Sequence, residues 1–318
     1  MLPAVVYLKR LPLPPLRRIV ERVEARLDSA RLLAATVASA RHRRLDHGAV
    51  GLTLEQTTDV ITPELARAYA EATRDPNPRY DQGLAPPFLI VRLVLPLIRE
   101  AMVHPRLRLN ILRMVHAEQE MSWSSPLRVG ERDLRVSLTV SAIEETRAGE
   151  LVRLEGDARR ADGELVGTAR VGLMVRGPRR DSTTGPKRAR EEREQPPESF
   201  RIPLPTECDQ ALRYAAASGD TNFIHTSEVL ARLAGLPRTI LHGMCVMAMA
   251  SGAIVRERLG GDLERCSSVR VRFSSPAFPG ETLTVVGYQG QSEGQLPFEV
   301  QNQRGKAVIR NGLLVTRE

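Results

Sequence analysis

The chain reads twice. "YAEATRD" at 69–75 returns as "YAAASGD" at 214–220, "WSSPLRVGE" at 123–131 as "FSSPAFPGE" at 273–281, and "VGLMVR" at 171–176 as "NGLLVT" at 311–316. Three echoes in one order, at drifting separations, mark a duplicated domain whose loops have changed length. A seam is expected between the copies, and the composition supplies one. Residues 177–199, "GPRRDSTTGPKRAREEREQPPES", are rich in Pro, Gly and charge and poor in apolar side chains. Such a stretch buries too little to order itself as a core. The expected division is an N-terminal helical extension at 1–50, a first repeat at 51–176, a linker at 177–199 and a second repeat at 200–318.

Each repeat shows the same order of elements. Thr62-Pro63-Glu64 reads as a helix start, with Thr as cap and Pro in the first turn, and the helix should reach about Thr73. Residues 206–217 mirror it. Ser227 reads as the cap of a short helix that stops near Gly235. Residues 244–259, "MCVMAMASGAIVRERL", are apolar nearly all round, the pattern of a buried helix. Strands follow. In "VRVRF" at 269–273, Val269, Val271 and Phe273 alternate with Arg270 and Arg272. One long apolar helix followed by a four- or five-strand antiparallel meander predicts a sheet wrapped around a helix. Residues 1–50 have helical spacing and many arginines. Glu21, Glu24 and Asp28 argue against an organelle presequence and for a helix packed on the domain.

Bulk properties narrow the function. No run approaches eighteen consecutive apolar residues, and the start of the chain lacks the pattern of a secretory signal. Cys208, Cys245 and Cys266 are too few and too scattered for a disulfide framework or a zinc site, which suits a reducing, cytoplasmic setting. The net charge of +8 allows an anionic partner such as coenzyme A phosphates or an acidic carrier protein. No basic stripe carries interleaved aromatics, so nucleic acid is not expected.

Chemistry concentrates in "SGDTNFIH" at 218–225. Asp220 and His225 follow a helix end closely enough to face one cleft, with Asn222 between them. "HGM" comes next, with His242 and then Gly243 where the apolar helix begins. A helix start offers free N–H groups and a positive dipole end, and glycine lets a substrate carbonyl approach. These parts suit addition of water to a conjugated thioester. The Gly243 N–H polarises the carbonyl, and Asp220 and His225 hold the water, one taking its proton while the other delivers a proton to C2. Asp220, His225 and His242 lack the usual spacing of a zinc set, so no metal is expected.

"YAAASGDTNFIH", "LPRTILHGM" and "RVRFSSPAFPGE" together resemble the MaoC-like dehydratase, or (R)-specific enoyl-CoA hydratase, family. The resemblance covers nearly all of the second repeat. It departs at Phe223, where the family usually has Pro, and at "HTS", where an acid often follows the His. It implies an α+β double hot dog, two antiparallel sheets each wrapped around a long helix and joined side by side. It also implies Asp220 and His225 as the catalytic pair, Gly243 as oxyanion donor, and Asn222 and His242 as support. Coenzyme A or pantetheine would arrive as part of an acyl-CoA or acyl-carrier substrate, with no separate cofactor. Arg265, Arg270 and Arg272 are candidates to meet its phosphates. In the first repeat "DPNPRY" matches "DTNFIH", so Asp75 and Asn77 persist while Tyr80 stands in the place of His225. One competent site per chain is expected, in the crevice between repeats. A hot-dog acyl-thioesterase and a non-catalytic acyl-CoA or carrier-binding module are the alternatives. Exposed sheet edges leave room for a homodimer.

Overall fold

The computed structural model describes residues 34, 36–177 and 196–317. Most of the expected N-terminal helix and most of the linker lie outside them. The described part of the extension packs on the first repeat. Asn110 Nδ2 donates to the His42 carbonyl (2.9 Å), and Leu45 is buried.

Ten strands form one antiparallel sheet. The first repeat contributes β1 (Thr53–Thr57), β2 (Met114–Trp123), β3 (Arg135–Thr146), β4 (Gly149–Arg159) and β5 (Leu165–Arg176). The second contributes β6 (Glu198–Pro205), β7 (Cys266–Phe273), β8 (Thr282–Tyr288), β9 (Gln295–Gln301) and β10 (Ala307–Thr316). Their order is β1-β3-β4-β5-β2-β7-β10-β9-β8-β6, so the second half read backwards repeats the first. The seam is the β2–β7 pair. Glu120 and Arg270, matched by the duplication, are also cross-strand neighbours there, which puts a pseudo-two-fold axis between them.

The strands after the long helix do not form a simple meander. β7 pairs with β10 rather than β8, and β6, which comes before the helices, completes the row beside β8. β6 also starts at Glu198, inside the stretch assigned to the linker.

Among the described residues, the helices that the sheet carries beyond the N-terminal extension are α1 (Pro63–Ala72), α2 (Ile90–Val103), α3 (Gln210–Ser218), α4 (Phe223–Thr226), α5 (Glu228–Leu233) and α6 (Gly243–Arg258). Thr62 caps α1 through the Leu65 N–H, and Ser227 caps α5 through the Leu230 N–H. Helix α3 begins four residues later than the sequence suggests. Helix α6 is buried continuously from Met244 to Val255, as its apolar circumference requires. Its counterpart α2 has one apolar face and continues through Pro96. α1 and α3 meet across the pseudo-axis through the buried Tyr69 and Tyr214 hydroxyls, 3.2 Å apart. Among the described residues, no helix is long and apolar enough to cross a membrane.

Candidate active site

Helix α3 ends at Gly219, whose positive φ of 79° is a left-handed cap that glycine adopts without strain. The chain then turns at once into Asp220. The Asp220 N–H donates to Ser218 Oγ (3.1 Å), and the Asp220 carboxylate accepts the Asn222 N–H (3.2 Å). Asn222 caps the single turn of α4 through the Ile224 N–H. That turn presents His225. The loop residues thus hold one another in the order in which the sequence gives them.

The tautomers follow from the partners. His225 Nδ1 lies 2.9 Å from the Ile240 carbonyl, which can only accept, so Nδ1 carries the proton and Nε2 keeps a lone pair. His242 Nε2 lies 2.9 Å from the Asp220 carbonyl and is protonated for the same reason, which leaves its buried Nδ1 without a partner. The two rings stack with centroids 3.8 Å apart.

Burial pushes the His225 pKa below its ordinary value, although the Asp220 carboxylate and the Ile240 carbonyl pull the other way. Burial, reinforced by His225, pushes His242 down to about 4. Burial presses the Asp220 carboxyl upward, but His242, His225, Arg99 and the Asn222 N–H together hold it below the usual carboxylate value. Both rings are uncharged at neutral pH, so the standing positive charge of this set is the Arg99 guanidinium. The site at neutral pH therefore holds an ionised carboxylate beside a neutral imidazole.

Gly243 opens α6, and no side chain caps that end. Its N–H and those of the next residues belong to the unsatisfied first turn. A Cβ at Gly243 would fall 2.8 Å from Phe273 Cε1, so the absence of a side chain lets the aromatic ring close over the helix start. Phe273 also meets His116 of β2 edge-on at 4.8 Å. Burial drives the His116 pKa down to about 4 against the pull of Asp220.

Asp220, His225 and His242 each offer an atom within 4.8 Å of the others. One water hydrogen-bonded to the first two fits that span. A shared cation fits poorly, because the two imidazole planes are inclined by only 26° and do not converge on one point.

The structure thus brings together Asp220, Asn222, His225, His242 and Gly243. It does not bring in the three arginines. Arg270 and Arg272 stand on the sheet face opposite to the buried Val269 and Val271, across the seam from Glu120 and Glu118. Opposite charges at directly facing strand positions explain them without a ligand. Arg265 precedes β7, at the end far from Phe273, and is exposed. Sequence reasoning missed Arg92, Arg99 and His116, which reach the site from the first repeat. No motif marks them, because the residues that they meet are more than a hundred positions away.

The matched loop of the first repeat is built differently. The Tyr80 hydroxyl donates to the Asp75 carboxylate, and burial raises the Asp75 pKa despite that bond. Asn77 Nδ2 donates to the Gly261 carbonyl (2.8 Å), which ties the loop to the second repeat. A groove of about 970 Å³ runs beside Asp75 and Tyr80. The acid there is already occupied by a phenol, and among the described residues no histidine lines that groove. The Asp220 side chain is 31% exposed, so solvent reaches the other loop as well.

Residues 190–305 match the family described as MaoC like domain, and residues 48–169 match the FAS1-like, dehydratase domain region. Among curated relatives, 3-hydroxyacyl-thioester dehydratase Y of Mycobacterium tuberculosis is 36% identical over 187 residues, 56% of this chain and 62% of that one. Enoyl-CoA hydratase ChsH3 of the same organism is 30% identical over 184 residues, 57% of this chain and 63% of that one. The matches thus span somewhat under two thirds of those relatives. A MaoC-like dehydratase from Phytophthora capsici superposes with a TM-score of 0.69 at 25% identity, over 86% of this chain and 97% of that one.

Proposed function

This chain belongs to the MaoC-like dehydratase family, and from that premise we propose that it hydrates trans-2-enoyl thioesters reversibly to (R)-3-hydroxyacyl thioesters. The observation that carries the reading is an ionised Asp220 carboxylate with a neutral His225 imidazole beside it, a ring nitrogen and a carboxylate oxygen lying within 4.8 Å, the span of one water.

In the proposed reaction the thioester carbonyl accepts the Gly243 N–H, and water sits between Asp220 and His225. His225 Nε2 takes a proton as the water oxygen bonds to C3. The C2=C3 electron pair moves onto the thioester as an enolate held by the Gly243 N–H. The imidazolium, steadied by Asp220, then returns its proton to C2. Since neither Asp220 nor His225 carries an acidic proton at neutral pH, one base performs both transfers, a simpler division than acid and base on separate residues. Hydroxyl and hydrogen then add to one face. Water adds across one double bond with no change in net oxidation, so the cycle uses no redox cofactor, and coenzyme A or pantetheine enters only as the substrate's own arm. The first repeat contributes no second site of this kind.

The test is loss of the enoyl absorbance of crotonyl-CoA and longer enoyl-CoAs, with product chirality read out. D220N and H225Q should each lower kcat by at least about a hundredfold, the scale of positioned acid–base catalysis, while D75N should leave the rate within about threefold of the parent. The base must be unprotonated and its pKa is depressed, so kcat/KM should hold from neutral pH down to 6.5 and fall only below it. Parent-like turnover by D220N or H225Q overturns the proposal, as does release of free thiol in place of hydration.

A further inference from the structure

Helix α2 carries Arg92 and Arg99 two turns apart, on one face. Arg92 Nη1 donates to the Ala217 carbonyl (3.2 Å), and Arg99 Nη2 donates to the Gly219 carbonyl. Arg99 Nη2 also stands 4.0 Å from Asp220 Oδ1. Both carbonyls close α3, where the last carbonyls have no donor within the helix and the dipole end is negative. Two cations from the first repeat therefore grip the end of the helix that leads directly to Asp220 in the second.

The duplication supplies an internal control. Laid on α6 from their first residues, Arg92 falls on Cys245 and Arg99 on Gly252. Cys245 Sγ reaches the Ala72 carbonyl (3.7 Å), and Ala72 is the repeat partner of Ala217, so that contact survives without charge. At Gly252 there is no side chain, and an added Cβ would come within 3.1 Å of Asp75 Cγ. One copy of the acid thus lies 4.0 Å from a guanidinium of the facing helix, while the other packs against bare helix and a phenol and feels only the weaker pull of Arg256. The two carboxyls move in opposite directions from the ordinary value, Asp220 down and Asp75 up.

We propose that Arg99, supplied by the repeat without a competent site, is a positioning residue for Asp220, anchoring its loop through Gly219 and keeping its carboxylate charged opposite His225. The role in turnover rests on the hydratase reading above. The other groups facing Asp220 are His225 and His242 from the second repeat, His116 from β2 and the Tyr214 hydroxyl below. His242 and His225 pull the Asp220 carboxyl down more than Arg99 does when protonated, but both rings are neutral at neutral pH, so Arg99, 4.0 Å from Oδ1, is the standing cation beside it. The degenerate copy is then part of the site and not only a scaffold beside it.

Two readouts test this in R99M, R99K and R99Q. The first is carbon-13 titration of the Asp220 carboxyl in the full chain, assigned by its loss in D220N. R99M should raise the midpoint by about one pH unit or more, the scale set by a nearby guanidinium, and R99K should recover most of it. The second is the pH profile with crotonyl-CoA. R99M should lower kcat about tenfold across neutral pH by loosening the loop and should move the acid limb of the profile upward, with KM moving less than kcat. If R99M does not fold, R99Q, which keeps a donor toward Gly219 without the charge, gives the same two readings. An unmoved Asp220 midpoint in a folded charge-free variant overturns the proposal, whatever the activity. A parent chain that hydrates no enoyl thioester overturns the hydratase reading, and the carboxyl titration still decides whether Arg99 governs Asp220.

Discussion

At Gly243 one methyl group separates two arrangements. The Phe273 ring lies against the bare Cα, and a Cβ would sit 2.8–2.9 Å from two of its carbons. Either the ring or the first turn of α6 must move to admit it. G243A should therefore lower kcat by roughly a hundredfold or more, the scale of losing one well-aimed donor to a developing oxyanion. G243A combined with F273L should recover part of that loss by returning space. Steady-state kinetics of the two variants and the double variant decide it, and equal losses in G243A with and without F273L would remove the steric explanation. The same scale explains what the sequence could display. Asp220, Asn222 and His225 make their mutual bonds within a span of five positions, close enough for the sequence to mark the cluster, though not its bonds. Arg99 meets Gly219 over a separation of 120 residues, and no local pattern carries such a contact.

Among the elements, α1 and α3 form the joint between repeats. Their tyrosine hydroxyls are buried together, and desolvation raises both phenol pKa values. Y214F would leave the Tyr69 hydroxyl buried with its partner gone, at a cost of about 1–3 kcal/mol. Removing both hydroxyls leaves no orphan, so Y69F/Y214F should cost less than the sum of the single changes. Urea unfolding of the three variants measures the difference. Elements with strong periodicity were legible: the apolar circumference of α6 and the alternation in β7 each report their own burial. β1 and β6 were not. β1 has five residues, and β6 carries Pro203 and Pro205, which read as strand breakers even though Ile202 and Leu204 point inward in alternation. The shortened α3 has a similar cause. Thr206 reads as a helix start by analogy with Thr62, but its hydroxyl donates to the Glu281 carbonyl beyond β7 instead.

For the whole molecule, the buried imidazoles set the acid limit of stability. His116 and His242 stay neutral in the fold down to about 4, whereas an unfolded chain protonates its histidines near 6.5. Between those values the unfolded state binds more protons, so stability rises with pH and is lost as pH falls. Each ring can account for on the order of 3 kcal/mol across that window. The urea midpoint should drop steeply between pH 6.5 and 4, and H116Q should flatten the drop. A midpoint constant over that range would contradict the burial that the fold assigns to these rings.

The two prolines of β6 have an effect at the rim of the assembly. Alternate residues of a strand send their N–H groups to the same side, and β8 already occupies one side of β6. Pro203 and Pro205, with no hydrogen to give, belong on the other. An incoming strand would find gaps where it needs donors, and the opposite rim offers only the five residues of β1. The ribbon is thereby terminated at both ends. Both rims are thus poor templates for recruiting further copies backbone to backbone into a growing fibre, a safeguard for a protein built on one ten-stranded sheet.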